Sequence, residues 1–252
     1  MMFDVAAESY GRFMGRFSEP LAEIFIDFAG VRAGHRALDV GCGPGALTAR
    51  LVERLGIDAV AAIDPSVPFG ASVRNRWPGI DVRTGTAEEL PYPDGVFDVA
   101  LAQLVVQFMA DPVGGLAQLM RVTRAGGVVA AAVWDHAGGT GPLALFWDAV
   151  REQDPAAAGE ADLPGTSEGQ LAGLMAAAGL RAVEAAPLTV TVPFASFAEW
   201  WEPFALGVGP AGAYVQALSP QRREALKARC AEVLPAGPLE ITARAWCARG
   251  CP

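Results

Sequence analysis

The chain has 252 residues, 52% of them hydrophobic and 19% charged, which excludes a disordered chain and supplies enough apolar material for a full core. Its net charge of −9 sets it against a phosphate backbone, so no nucleic acid is expected as a partner, although a nucleotide-like ligand held by main-chain groups is compatible with that charge.

The head, MMFDVAAESYGRFMG, has no basic start followed by a long apolar stretch, so it does not read as a leader. SEPLAEIFIDFAG then predicts a helix with Pro20 in its first turn and Leu21, Ile24, Phe25 and Phe28 on one face. Strands are expected at 36–41, 59–64, 80–85, 97–103 and 127–134, with later ones at 182–192 and 239–249. Runs that are apolar nearly throughout suggest strands covered on both faces, as in a parallel sheet. Helical patterns separate them, as with Leu47, Leu51 and Leu55, then Leu116, Leu119 and Met120, then Leu171, Leu174 and Met175. The fold class is therefore α/β: a doubly wound, mostly parallel seven-stranded sheet with helices on both faces. LEITARAW alternates apolar and polar residues, which predicts one antiparallel strand at or near an edge. The richest apolar stretch, around 96–110, is broken by Asp98, Gln103 and Gln107, so membrane insertion is not expected and the cytoplasm is. Cys42, Cys230, Cys247 and Cys251 lack metal-ligand spacing, so no metal site is expected.

The domain reading is one domain over 1–252, with cap helices at 1–35. Two segments, 136–166 and 195–238, break the alternation after strands and are expected to emerge as lids at one end of the sheet.

LDVGCGPGALTARL, at 38–51, carries the chemistry. A buried strand runs into Gly41, Gly43 and Gly45, which permit positive φ and leave no side chain to hold a ligand away. The helix behind them offers unpaired N–H groups and the positive end of its dipole. The GxGxG spacing suits a small adenosyl ligand better than the pyrophosphate of GxGxxG. Asp64 ends the next strand, 19 residues past Gly45, where a carboxylate can accept from both ribose hydroxyls.

ALDVGCGPGALT, AAIDPS, GTAEELPYPDGVFDVALAQLVVQF and RVTRAGGVVAAAVWD together resemble the class I S-adenosylmethionine-dependent methyltransferases, of the small-molecule type related to the ubiquinone/menaquinone enzymes. The resemblance spans 36–135, with YGRFMGRFSEPLA also similar to the segment preceding that fold. It implies a Rossmann-like fold and S-adenosylmethionine as cofactor. Asp39, Gly41, Cys42, Gly43 and Gly45 would surround the methionine part, Asp64 would bind the ribose, and Pro65 and Ser66 would lie beside the adenine. Ala87 would offer its N–H to the ring, with Glu88 next to it. The family's acidic residue before that alanine is Thr86 here, a departure that leaves a shorter, neutral acceptor. Gln103 would meet the methionine amino group, and Tyr10 and Arg16 would close over the cofactor, the arginine facing its carboxylate.

On the acceptor side, His136 is the candidate base and Asp135 the second candidate. His35, before the first strand, reads as a surface residue at the opposite end. Phe146, Trp147, Trp200, Trp201 and Phe204 are candidate walls of an apolar or aromatic acceptor pocket, although helical spacing equally makes 200, 201 and 204 a core stripe. The expected function is methyl transfer to a small-molecule acceptor, with homodimerisation left open. Two alternatives stand: a non-catalytic module that binds S-adenosylmethionine or S-adenosylhomocysteine, and an NAD-dependent oxidoreductase. GxGxG and the absence of a Tyr-x-x-x-Lys pair disfavour the last.

Overall fold

Alternate residues of the central strands enter two different cores. Ala37, Ala62, Val99, Leu101 and Ala130 face one side of the sheet, and Leu38, Val40, Ile63, Ala100 and Val129 face the other. A strand buried on both faces cannot tolerate regular polar alternation, which is why these segments are apolar nearly throughout, with Asp39 and Asp98 among the exceptions. The computed structural model describes residues 7–235 and 237–252; the rest of the expected 1–35 cap and of the 195–238 segment, residues 1–6 and 236, lies outside the described residues.

Among the described residues seven strands form one sheet: β1 Ala37–Val40, β2 Val60–Asp64, β3 Asp81–Thr84, β4 Phe97–Gln103, β5 Thr123–Trp134, β6 Arg181–Phe194 and β7 Leu239–Cys251. The order is β3-β2-β1-β4-β5-β7-β6; β1 to β5 pair in parallel and β7 pairs antiparallel with both β5 and β6. The helices are α1 Ala7–Tyr10, α2 Arg16–Phe28, α3 Ala46–Leu55, α4 Val67–Arg76, α5 Pro112–Val122, α6 Ala144–Gln153, α7 Gln170–Ala177, α8 Phe197–Trp201, α9 Gly209–Ala217 and α10 Pro220–Val233. Leu116 and Leu119 of α5 and Leu171 and Met175 of α7 cover one face, while α2, α3, α6 and α9 cover the other.

Three local expectations change. Pro20 sits inside α2, not in a first turn, because YGRFMG before it is itself helical: α1 is followed by a π turn over Gly11–Gly15. β5 begins at Thr123, four residues before the expected 127, and β6 reaches from 181 to 194. β7 lies one strand in from the edge, in keeping with the expected position at or near it. The edge is β6, which accommodates Pro187 and Pro193 because an edge strand has one side without ladder partners.

The strand order reverses between β1 and β4, and a parallel sheet opens a crevice at such a switch point. Asp39 pairs with Leu101, so the register continued by two residues sets Gly41 beside Gln103 at the mouth of that crevice.

Candidate functional site

Gly41, Gly43 and Gly45 have φ of +69°, +53° and +99°, so the turn leaving β1 uses left-handed backbone three times in five residues. Their roles differ. A Cβ on Gly41 would meet a Val105 methyl at 2.4 Å, and one on Gly45 would meet the Trp77 ring at 2.9 Å. These two glycines permit close packing. At Gly43 a Cβ would meet nothing within 4 Å, so this residue presents bare backbone to open space.

The turn is tied to the next strand by a carboxylate. Asp64 accepts from the Gly43 N–H on Oδ2 at 2.8 Å and from the Ser66 N–H on Oδ1 at 2.7 Å. Burial raises its pKa against the lowering effect of those two bonds. Deeper, Asp39 accepts from the Thr48 hydroxyl at 2.6 Å and is buried. Burial pushes its carboxyl up to about 7; the Thr48 bond opposes this and the Asp64 charge adds to it. Tyr10 stands edge-on to Phe69 at 5.6 Å between centroids, and its phenol is raised to about 12 by burial and by the Asp64 charge.

These groups open onto a cavity of about 630 Å³, well within the size of small-molecule sites. Tyr10, Gly41, Gly43, Asp64, Pro65 and Ser66 form one end, and Thr86, Ala87 and Glu88 the adjoining wall. Burial works against ionised Glu88, but N–H groups of Ala110 and Asp111 and its contact with Thr86 hold it below the usual carboxylate range. Gln103 donates to the Ser18 carbonyl at 3.0 Å, while its own Oε1 is buried without a hydrogen bond. Val208 to Ala211 line the wall from the segment after β6, and Trp134, His136, Leu143 and Glu160 line it beyond β5.

His136 and Glu160 are the ionisable pair of that second end. Each side chain is 5% exposed, and the imidazole Nε2 lies 3.9 Å from Glu160 Oε1. Glu160 Oε2 accepts from the Trp147 indole N–H at 2.8 Å. Burial lowers the imidazole pKa, and the charges of Glu160 and Asp135 work in the opposite direction.

Several residues singled out from sequence are not on the cavity wall. Arg16 pairs with Glu199 at 2.6 Å, donates to the Pro193 carbonyl at 2.7 Å and lies 4.2 Å from the Phe194 ring centre; it fastens α2 to the end of β6. Asp135 accepts from the Gly138 N–H at 2.8 Å and the Thr140 hydroxyl at 2.5 Å, so both oxygens hold the following turn together. Gly45 packs on Trp77, and Asp39 and Cys42 face a small recess behind the turn, the Cys42 thiol being raised by burial and by the nearby carboxylates. Phe146, Trp147, Trp200, Trp201 and Phe204 are all buried and stack on one another, with Phe146 and Phe204 at 4.5 Å. Helical spacing turned them toward the core, and Phe13, 4.9 Å from Phe204, stands at the cavity in their place.

Glu160 was invisible in the sequence. It lies in AAAGEADLPG with no periodicity, and only the return of that loop sets it against His136. Gln107 and Trp134 also line the cavity, and both bring a buried polar atom without a hydrogen bond, Oε1 and Nε1.

Residues 38–131 match the family model described as a methyltransferase domain. An uncharacterized methyltransferase of Mycobacterium tuberculosis is 38% identical over 127 residues, 50% of this chain and 49% of that one. A demethylmenaquinone methyltransferase of Beutenbergia cavernae is 35% identical over 102 residues, 40% of this chain and 42% of that one. The match thus covers about half, or less, of the relatives' length. Among solved structures, the Bacillus subtilis YcgJ protein superposes with a TM-score of 0.57 at 18% identity, covering 92% of this chain and 97% of that chain. A geranyl diphosphate methyltransferase in complex with S-adenosylmethionine gives a TM-score of 0.54 at 16% identity, covering 93% and 85%. At these identities the structures speak to fold alone.

Proposed function

We propose, since the chain belongs to the class I S-adenosylmethionine-dependent methyltransferase family, that it transfers a methyl group from S-adenosylmethionine to a small apolar or aromatic acceptor. The observation that carries this reading is the Asp64 carboxylate, fixed by the Gly43 and Ser66 amides on the wall of a cavity into which Gly43 projects no side chain. The fit to the cofactor is good: a bare turn, an oriented carboxylate for the ribose, and the Gln103 Oε1 still without a hydrogen bond. When bound, the cofactor supplies an electrophilic methyl group on a sulfonium. Gly43 and Asp64 would hold its aminoacyl and ribose parts, and Thr86, Ala87 and Glu88 its adenine.

The chain's own task is alignment and exclusion of water. The segments 136–166 and 195–238 act as lids in this reading, contributing Leu143 and Glu160 from the first and Val208 to Ala211 from the second. His136 is the base for an acceptor that carries a proton. The proposed acceptor is a small molecule and the proposed compartment the cytoplasm; among the described residues no helix is long and apolar enough to cross a membrane.

Calorimetric titration with S-adenosylhomocysteine and, separately, with NAD tests the reading. Binding of the first alone is expected, and binding of NAD alone would overturn it. Incubation with methyl-labelled S-adenosylmethionine and an acceptor panel separates the enzyme from a non-catalytic binding module, which would transfer no label.

A further inference from the structure

Beyond the cofactor end, the far wall of the cavity carries a buried polar pair, His136 and Glu160. We infer that Glu160 is a positioning residue for His136, and that this pair adapts the cavity to acceptors bearing an acidic hydroxyl group, phenols and enols foremost. The inference rests on the methyl-transfer reading above.

The geometry is specific. Both side chains are 5% exposed, and 3.9 Å between Nε2 and Oε1 is too long for a hydrogen bond, so neither atom is consumed by the other. The carboxylate is held from behind by the Trp147 indole, itself packed against Phe146 at 5.1 Å, so its charge stays at the ring's edge. The charged groups that face the imidazole are Glu160 and Asp135, and Asp135 is turned inward to Gly138 and Thr140. A buried carboxylate beside a neutral imidazole does little until the ring takes up a proton. It then stabilises the imidazolium through a low-dielectric medium.

The chemistry balances simply. The acceptor's O–H bond breaks and its proton goes to His136 Nε2. The oxygen's freed electron pair forms the new bond to the methyl carbon, and the pair of the broken carbon–sulfur bond stays on sulfur. An acceptor without an acidic proton would gain nothing from the pair. A hydroxyl gains most, since its nucleophilicity rises steeply on losing the proton.

The chain has two histidines, so NMR titration of the imidazoles reads His136 directly, with H35Q assigning the signals. In S-adenosylhomocysteine-saturated protein, E160Q is expected to lower the protonated fraction of His136 at a given pH severalfold and to leave His35 unmoved. W147F, which releases Glu160 from behind, should move His136 in the same direction by less. S-adenosylhomocysteine affinity should stay within twofold in both. With weakly acidic phenols, E160Q should lower kcat more than it changes KM and displace the rising limb of the pH profile; with 2,4-dinitrophenol, already ionised near neutral pH, it should have little effect. An unmoved His136 titration in E160Q overturns the inference, as does a uniform loss across all phenols. Failure to bind S-adenosylhomocysteine would instead overturn the methyl-transfer reading, and titration of the ligand-free protein would still decide whether Glu160 governs His136.

Discussion

The Gly43 amide donates to Asp64 Oδ2 at 2.8 Å, so the glycine turn and the acidic strand end, 21 residues apart, form one rigid unit. The carboxylate is aimed before any ligand arrives. Preorganisation of this kind removes part of the ordering cost of binding.

Replacing Asp64 by alanine should remove hydrogen bonds to a charged acceptor and free the turn. The expected loss is about 1.5–3 kcal/mol of S-adenosylhomocysteine affinity, roughly tenfold to a hundredfold in Kd. Calorimetry on the folded variant measures it; unchanged affinity would mean that the ribose lies elsewhere.

Gly43 and Gly45 should separate by phenotype. Gly45→Val drives a side chain into Trp77 and Val73 and should lower Tm, whereas Gly43→Val meets no protein atom near its Cβ and should chiefly abolish cofactor binding. Left-handed backbone adds roughly 1–2 kcal/mol of strain at either position. Thermal melts with and without S-adenosylhomocysteine distinguish the two.

Arg16 makes its contacts with Glu199, Pro193 and Phe194, away from the cavity. Arg16→Met should therefore leave S-adenosylhomocysteine affinity within about twofold. The ion pair is partly exposed and screened by solvent, so its own share of stability is small. A drop in affinity of tenfold or more would return Arg16 to the cofactor.

Asp39 has a folded pKa of about 7 against an ordinary 3.8, so over that window the folded state binds the proton more tightly than the unfolded chain. Its contribution to stability therefore falls as pH rises from about 4 to about 7. Asp39→Asn removes this dependence while keeping an oxygen for the Thr48 hydroxyl. The Tm of the variant relative to wild type should climb across that range; a flat difference would refute the assignment.

What could be read from residues alone divides by sequence distance. GxGxG, Asp64 and the apolar strands are local signals, and the sheet class, the turn and the cavity-facing Asp64 follow from them. Trp200, Trp201 and Phe204 carry a genuine helical stripe, but a stripe says only that one face is buried, and here the burial is against Phe146 and Phe13. Arg16 looked free because its partner Glu199 is 183 residues away. Glu160 had no local signal at all, since its meaning comes from a loop that folds back onto His136. Asp135 followed a strand at the right end, but Thr140 and Gly138 claim both its oxygens.

β7 is the C-terminal strand, yet it is inserted between β5 and β6, and β6 has no other strand beside it among the described residues. During synthesis the sheet thus stays unfinished until Leu239–Cys251 has emerged, and β6 waits undocked until then. A nonsense change or proteolytic nick before Leu239 would strand both, exposing the backbone edge of β5 to self-association. Closure of the sheet therefore rests on this one late strand.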